Sequence, residues 1–233
     1  MPEVKVYIGI PTAEHARFAV FYDYVNMLQK PTGTVGASFH TNAGAYNRNL
    51  IIDDALAMGC THILFIDDDM AFPPNALVRL LKHNLDLVSG LYFNRTHPHP
   101  PLLFTSRINN GDGYRRRYLK HNEIGLTKVD ACGFGFFLAK THVFKHLEEP
   151  YIRHGEIKQD KRNEDLGFCR RITEAGFDIY CDLDVVCGHI GIATFWPSYN
   201  KKDNKWYTAV DTGSNELVTI EQETGEVITP LTK

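Results

Sequence analysis

The 233-residue chain has no apolar run near the ~18 residues that a membrane helix needs, so no spanning helix is expected. No basic-then-apolar stretch opens it, and the expected location is the cytoplasm. A strong charge of one sign is lacking too: a net charge of −3 exerts no global pull toward nucleic acid or anionic membranes. Cysteine is sparse. Cys60, Cys132, Cys169, Cys181 and Cys187 are odd in number, scattered and never spaced as CxxC, so reduced structural thiols are expected. There is no internal repeat and no low-complexity tract. What remains is an ordinary soluble globular composition, 43% hydrophobic and 23% charged, long enough for one medium domain with a small appendage.

The most informative stretch is residues 62–70, His-Ile-Leu-Phe-Ile-Asp-Asp-Asp-Met. An apolar run of buried-strand length stops at three consecutive carboxylates, Asp67, Asp68 and Asp69. Open α/β sheets bind ligands beyond the carboxyl ends of their strands. Three adjacent acids repel one another and titrate upward unless a cation compensates, and carboxylate oxygens suit hard divalent ions such as Mg²⁺ and Mn²⁺. The plainer alternative is that one of them caps a helix beginning near Pro73. Capping needs one acid, however, and Pro73-Pro74 already marks that start.

Around this stretch the pattern alternates between strand and helix. Residues 4–10 read as a strand ending at Pro11-Thr12, with Thr12 as N-cap of a helix to about residue 29. Phe18, Phe21, Val25 and Leu28 recur there at helical spacing. Strands are expected at 34–39 and 85–90, helices at 43–58, 73–83, 141–147 and 163–175. Gly59 and Gly176 are the helix stops. Short strands are expected at 102–105, 114–119, 177–181 and 184–187, and one at 129–138 around Gly133-Phe134-Gly135, where missing side chains allow a close approach. The order implies an α/β fold with a mostly parallel central sheet flanked by helices, plus a small mixed β portion. Residues 1–195 form the expected main unit. Residues 196–233, with Trp196, Tyr199, Trp206 and Tyr207 among lysines and asparagines, form a tail with a hairpin of 216–220 and 226–229 about Thr224-Gly225.

Two later features bear on chemistry. Asn163-Glu164-Asp165 opens a helix, where free N–H groups and the helix dipole favour an ionised carboxylate suited to a general base. Helix capping is the alternative. His189 lies between two glycines, and imidazole is a ligand for Mn²⁺ and softer metals, although an isolated His after a strand is also a common structural residue.

In chain order, Asp67-Asp68-Asp69, Gly133-Phe134-Gly135-Phe136-Phe137, Glu164-Asp165 and His189-Ile190-Gly191 resemble the GT-A glycosyltransferases, over roughly residues 4–191. The resemblance implies a GT-A-like, Rossmann-like fold and transfer of a sugar from a nucleotide-diphosphate sugar, a UDP-sugar foremost, to an acceptor hydroxyl. It implies Asp69 and His189 as ligands of Mn²⁺ or Mg²⁺, with Asp67 sharing the metal or touching the donor ribose. It implies Asp165, with Glu164 beside it, on the acceptor side as base or orienting group. Pro11, Thr12, Arg48 and Asn49 resemble nucleotide-contacting positions of the inverting family that includes cellulose and chitin synthases. Asp68, Gly133 and Gly135 complete the expected donor-binding set.

There are departures. An acidic motif usually follows the second strand of that family, and here Ala37-Ser38-Phe39-His40 stands in its place. The processive Gln-x-x-Arg-Trp signature is absent, which argues against polymer synthesis, and the stereochemistry of transfer is open. Two other function classes stand beside this one. A metal-dependent nucleotidyltransferase would need a glycine-rich basic loop after the first strand, where Gly9-Ile10-Pro11-Thr12-Ala13-Glu14 stands instead. A non-catalytic carbohydrate- or surface-binding module built on Trp196 and Trp206 leaves Asp67–Asp69, Asp165 and His189 without a purpose. Six cations (Arg95, Arg107, Arg115, Arg116, Arg117 and Lys120) against one acid, Asp112, mark residues 95–120, interleaved with Phe104, Tyr114 and Tyr118. That is either a solvated strand face or the footprint of a phosphate-rich acceptor, nucleic acid included; otherwise a glycan or other hydroxyl compound is the acceptor class. The tail, with Lys201, Lys202 and Lys205, is a lid over the donor or an interface.

Overall fold

The computed structural model describes residues 4–12, 18–40, 44–108, 113–157, 164–191, 193–211 and 216–232. The expected first turn of the helix after Thr12, the proposed cap Asn163, and Asp112 lie outside the described residues.

Chain order runs β1 (Val6–Pro11), α1 (Ala19–Met27), β2 (Val35–His40), α2 (Gly44–Ala57), β3 (His62–Ile66), β4 (Met70–Ala71), α3 (Ala76–Lys82) and β5 (Leu87–Leu91). There follow β6 (Leu103–Ile108), β7 (Gly113–Arg116), β8 (Leu126–Val129), β9 (Ala131–Cys132), β10 (Phe136–Lys140), a 3₁₀ turn (Thr141–His146) and α4 (Glu164–Glu174). The chain ends with β11 (Ile179–Val186), β12 (Gly188–Ile190), β13 (Thr194–Asn200), β14 (Lys205–Asp211), β15 (Glu216–Glu221) and β16 (Val227–Thr232).

Among the described residues the central sheet has seven strands in the order β2-β1-β3-β10-β5-β11-β8. β1 is parallel to β2 and β3, β5 is parallel to β11, and β10 lies antiparallel between β3 and β5. Five strands therefore share one direction, with β10 and the edge strand β8 reversed. Side chains alternate between two cores, as a strand's period of two requires. From β3, Ile63 and Phe65 enter the core that includes α2 and α4, whereas Leu64 and Ile66 enter the core beneath α1 and α3. Gly9 lets α2 settle onto β1, because a side chain there would collide with Ile51. All five cysteines are free and buried, as their spacing suggested.

The second sheet has the order β16-β15-β14-β13-β12-β4. It contains the expected hairpin, now β15–β16, but also β13 and β14, which the sequence did not reveal, and it is joined through β12 to β4 beside the acids. A third, three-stranded sheet pairs β6 with β7 and β9. The single strand expected over 129–138 is broken into β8, β9 and β10, because Gly133–Gly135 bend away from the ladder. The two strands expected between 177 and 187 are one, β11. The helix expected over 141–147 is a 3₁₀ turn, Thr141–His146, and α3 starts at Ala76, after Pro73-Pro74 rather than at them. No helix of the described residues is long and apolar enough to cross a membrane.

Candidate active site

One edge of the central sheet gathers the chemistry. The parallel strands β1 and β3 end there at Pro11 and Ile66, β5 ends at Leu91, and the reversed strand β10 begins there after the glycines. Asp67 continues β3 for one more bond, its N–H donating to the Gly135 carbonyl at 3.0 Å. The Met70 N–H then donates to the Asp67 carbonyl at 3.2 Å and closes the acid turn. The Thr12 hydroxyl donates to Asp68 Oδ2 at 2.6 Å and ties the end of β1 to that turn.

β4 pairs with β12 in a register that sets His189 opposite Met70, and the Ile190 N–H donates to the Asp69 carbonyl at 2.6 Å. His189 Nε2 consequently lies 3.6 Å from Asp69 Oδ2. Its Nδ1 lies 3.0 Å from the Phe93 carbonyl, an acceptor, which assigns a ring proton to Nδ1 and turns Nε2 toward the carboxylate. A backbone carbonyl orienting one imidazole nitrogen so that the other meets a cation is the usual support of a metal-binding His. Asp69 and His189 thus fit a Mg²⁺ or Mn²⁺ ion as a two-ligand set, with the remaining coordination left to substrate and water. Among the described residues no group of three or more His, Cys, Asp or Glu side chains is placed to hold a metal. Asp67 turns elsewhere, and Arg95 Nη1 donates to Asp69 Oδ2 at 2.7 Å and to the Ile190 carbonyl at 2.9 Å.

Asp67 turns to Arg48, which the sequence had suggested as a phosphate contact. Buried on α2, its guanidinium meets Asp67 Oδ1 at 2.7 Å, Glu164 Oε1 at 2.6 Å and Asp165 Oδ1 at 4.0 Å, with the Phe134 ring 5.6 Å from its carbon. Burial disfavours the Arg48 charge, but Asp67, Asp165 and Glu164 outweigh that and raise its pKa. The carboxylates outnumber the cation. Burial is the largest cause raising Asp165, with Arg48 opposing and Glu164 and Asp67 adding, so that its pKa is pushed up to about 7. Asp67 is raised too, by burial first, with Arg48 and His189 opposing and Asp69 and Glu164 adding. Asp165 Oδ2 accepts the Phe134 N–H at 3.1 Å, while its buried Oδ1 has no hydrogen-bond partner among the described residues. Glu164 is neighboured also by His154 at 3.4 Å.

The glycine stretch is approached by Tyr92, a residue the sequence reading passed over although it directly follows β5. Its hydroxyl accepts the Gly135 N–H at 2.9 Å, and a side chain at Gly133 would overlap that hydroxyl. A Cβ on Gly135 would lie 2.8 Å from both Tyr92 and Met70. Tyr92 itself titrates well above its ordinary value because it is buried beside Asp165 and Asp67, so it stays protonated. Gly133→Ala is expected to cost about 1–3 kcal/mol by overpacking, measured by denaturant unfolding, and Tyr92→Phe in the same chain should recover part of it. A Gly133→Ala protein as stable as wild type would contradict this packing.

Two clefts meet at Asp67. The first, about 160 Å³, is lined by Pro11, Thr12, Gly44, Arg48 and Asp67–Asp69. The second, about 220 Å³, is lined by residues including Tyr92, Asn94, Arg116, Gly133, Asp165 and His189. Of the catalytic, donor-binding and metal residues expected from sequence, Asn49, Gly135 and Glu164 line neither, Glu164 sitting behind Arg48. Asn49 instead bonds the Ile152 backbone in both directions, at 2.8 and 3.0 Å, and fixes the loop before α4. The basic stretch does not stay together as one surface. Arg95 turns to Asp69, Arg117 pairs with Glu123, Arg116 enters the second cleft, and Phe104 and Tyr114 are buried against each other. The Arg107 side chain lies outside the described residues.

No protein-family model and no curated protein sequence matches the chain. Solved structures do. A197 from STIV superposes with a TM-score of 0.54 at 19% identity, over 87% of this chain and 93% of that one. S. aureus TarS 1-349 gives a TM-score of 0.48 at 13% identity, over 77% of this chain, which spans 60% of that one. The same protein in complex with UDP-GlcNAc gives 0.46 at 13% identity, over 78% and 56%. The fold is mixed α/β and GT-A-like, with a central sheet flanked by helices.

Proposed function

We propose that the chain is a metal-dependent glycosyltransferase that moves a sugar from a nucleotide-diphosphate sugar, a UDP-sugar foremost, to an acceptor hydroxyl. The observation that carries this reading is that Asp67 lines both clefts, with Asp69 on one side of it and Asp165 on the other. The first cleft takes the nucleotide. Pro11, Thr12 and Asp68 form its wall, and Asp69 of that wall with His189 of the second cleft would hold Mn²⁺ or Mg²⁺ between the two. When bound, that ion supplies Lewis-acid neutralisation of charge on the departing nucleoside diphosphate.

The second cleft takes the acceptor. The Asp165 carboxylate, which lines this cleft, receives the proton of the attacking hydroxyl as that hydroxyl's oxygen bonds to the sugar's anomeric carbon. The bond from that carbon to the diphosphate breaks with its electron pair on the leaving group. A base with a pKa near 7 is matched to that task at neutral pH. Arg48 and the Phe134 N–H hold the carboxylate in place, and Glu164 braces Arg48 from behind. The segment from β13 onward pairs with β12, which pairs with β4 beside the acids, and this supports a bracing role for the tail at the metal side.

Incubating the protein with UDP-sugars and Mn²⁺ and following UDP release tests the reading. One donor should turn over, and Asp69→Ala should reduce release to the buffer rate. Release that is unaffected by Asp69→Ala would contradict it.

A further inference from the structure

The three arginines of the site differ in how their charge is met. Arg48 is surrounded by carboxylates, and Arg95 has Asp69. Arg116, at the end of β7, has none among the described residues. Its guanidinium lies over the Phe104 ring at 4.8 Å, and Nη1 donates to the Pro101 carbonyl at 2.9 Å. These two contacts fix the guanidinium plane and leave Nε and Nη2 without a protein partner among the described residues. Burial pulls its pKa down, with only Tyr118 opposing.

The Arg116 charge meets no carboxylate among the described residues, so an anionic ligand in the cleft would complete it. A guanidinium with one free edge is a bidentate receptor for phosphate or carboxylate. Arg116 lines the same cleft as Asp165, with Leu102, Phe104 and Leu166 as the apolar floor between polar groups. Asp69, expected to face the donor diphosphate, lines the other cleft.

We propose that Arg116 selects the acceptor by gripping a phosphate or carboxylate that the acceptor carries near its attacking hydroxyl. The proposal rests on the glycosyltransferase reading for the word acceptor, but the anion site can be tested without it. Calorimetric titration with glucose 6-phosphate, inorganic phosphate and glucose separates the contributions. Glucose 6-phosphate should bind the wild-type chain more tightly than either glucose or phosphate alone. Arg116→Met should weaken it about 10- to 100-fold, the loss of charge-assisted hydrogen bonds. Arg116→Lys should fall between, and UDP affinity should be unchanged in both. Unfolding midpoints equal to wild type, for at least the Lys variant, establish that folding is intact.

Glucose 6-phosphate that fails to bind wild type, or binds Arg116→Met equally well, overturns the proposal. UDP weakened by Arg116→Met would assign the anion to the donor diphosphate and overturn it also. UDP that fails to bind while glucose 6-phosphate binds through Arg116 would refute the donor cleft and leave the anion site standing.

Discussion

Asp165→Asn is expected to abolish sugar transfer while UDP binds as in the wild type. The substitution keeps shape and leaves an amide oxygen to accept the Phe134 N–H, now at 3.1 Å from Asp165 Oδ2. What it removes is the proton acceptor, which is worth about 10²- to 10⁴-fold in rate. It also removes one negative charge from a cluster with more carboxylates than cations, so the variant should be no less stable than the wild type. The wild-type pH profile supplies the companion result. A base must be ionised to act, and burial holds Asp165 at about 7. Transfer should therefore rise as pH rises through about 7 and level off above it. Stability runs the opposite way for this group. Its folded pKa exceeds the ordinary 3.8, so the stability it contributes is present at low pH and is lost as pH climbs through about 7. Transfer at full rate in Asp165→Asn would remove Asp165 from the chemistry.

Arg48→Met should be the most damaging single change to the fold of the site. It leaves Asp67, Glu164 and Asp165 facing one another with no cation, and breaking a buried ion pair from one side costs about 3–5 kcal/mol. At ~2–4 °C per kcal/mol for a chain of this size, the unfolding midpoint should drop by roughly 6–20 °C at pH 8. Acid should shrink the deficit, because protonated carboxyls no longer repel. Arg48→Lys should not restore the wild type, since an ammonium cannot reach two carboxylates with the fork that meets Asp67 and Glu164 at 2.7 and 2.6 Å. Thermal unfolding of both variants across pH 5–8 decides this, and an Arg48→Met midpoint equal to wild type at pH 8 would show that the cluster does not hold the site together.

The sequence disclosed the parts whose chemistry is local. Three adjacent acids after an apolar run, an acid pair opening a helix and a His between glycines each announce themselves within a few residues, and all of these residues but Glu164 line the clefts. Partners far apart in sequence were not legible. Arg48 and Glu164 are separated by 116 positions, and nothing near Arg48 says that it meets carboxylates rather than phosphate. Tyr92 was invisible for the same reason, because its importance comes from the glycines of another strand.

The fold shows the same division. The alternation of β1, β3 and β5 with their helices was readable from apolar runs and glycine stops. β13 carries Pro197 in mid-strand, which reads against a strand, and β14 is buried on nearly every residue, so it lacks the alternation of a half-exposed strand. The expected strand over 129–138 failed at Gly133–Gly135, where Tyr92 fills the space that a ladder would need.

The measurement closest to the central claim is calorimetric titration of UDP into the wild-type chain and Asp69→Ala, each with and without Mn²⁺. Binding that requires Mn²⁺ in the wild type and is lost in Asp69→Ala is the predicted result. No binding by the wild type, or equal binding by both proteins with and without the ion, would contradict the donor site at Asp69 and His189.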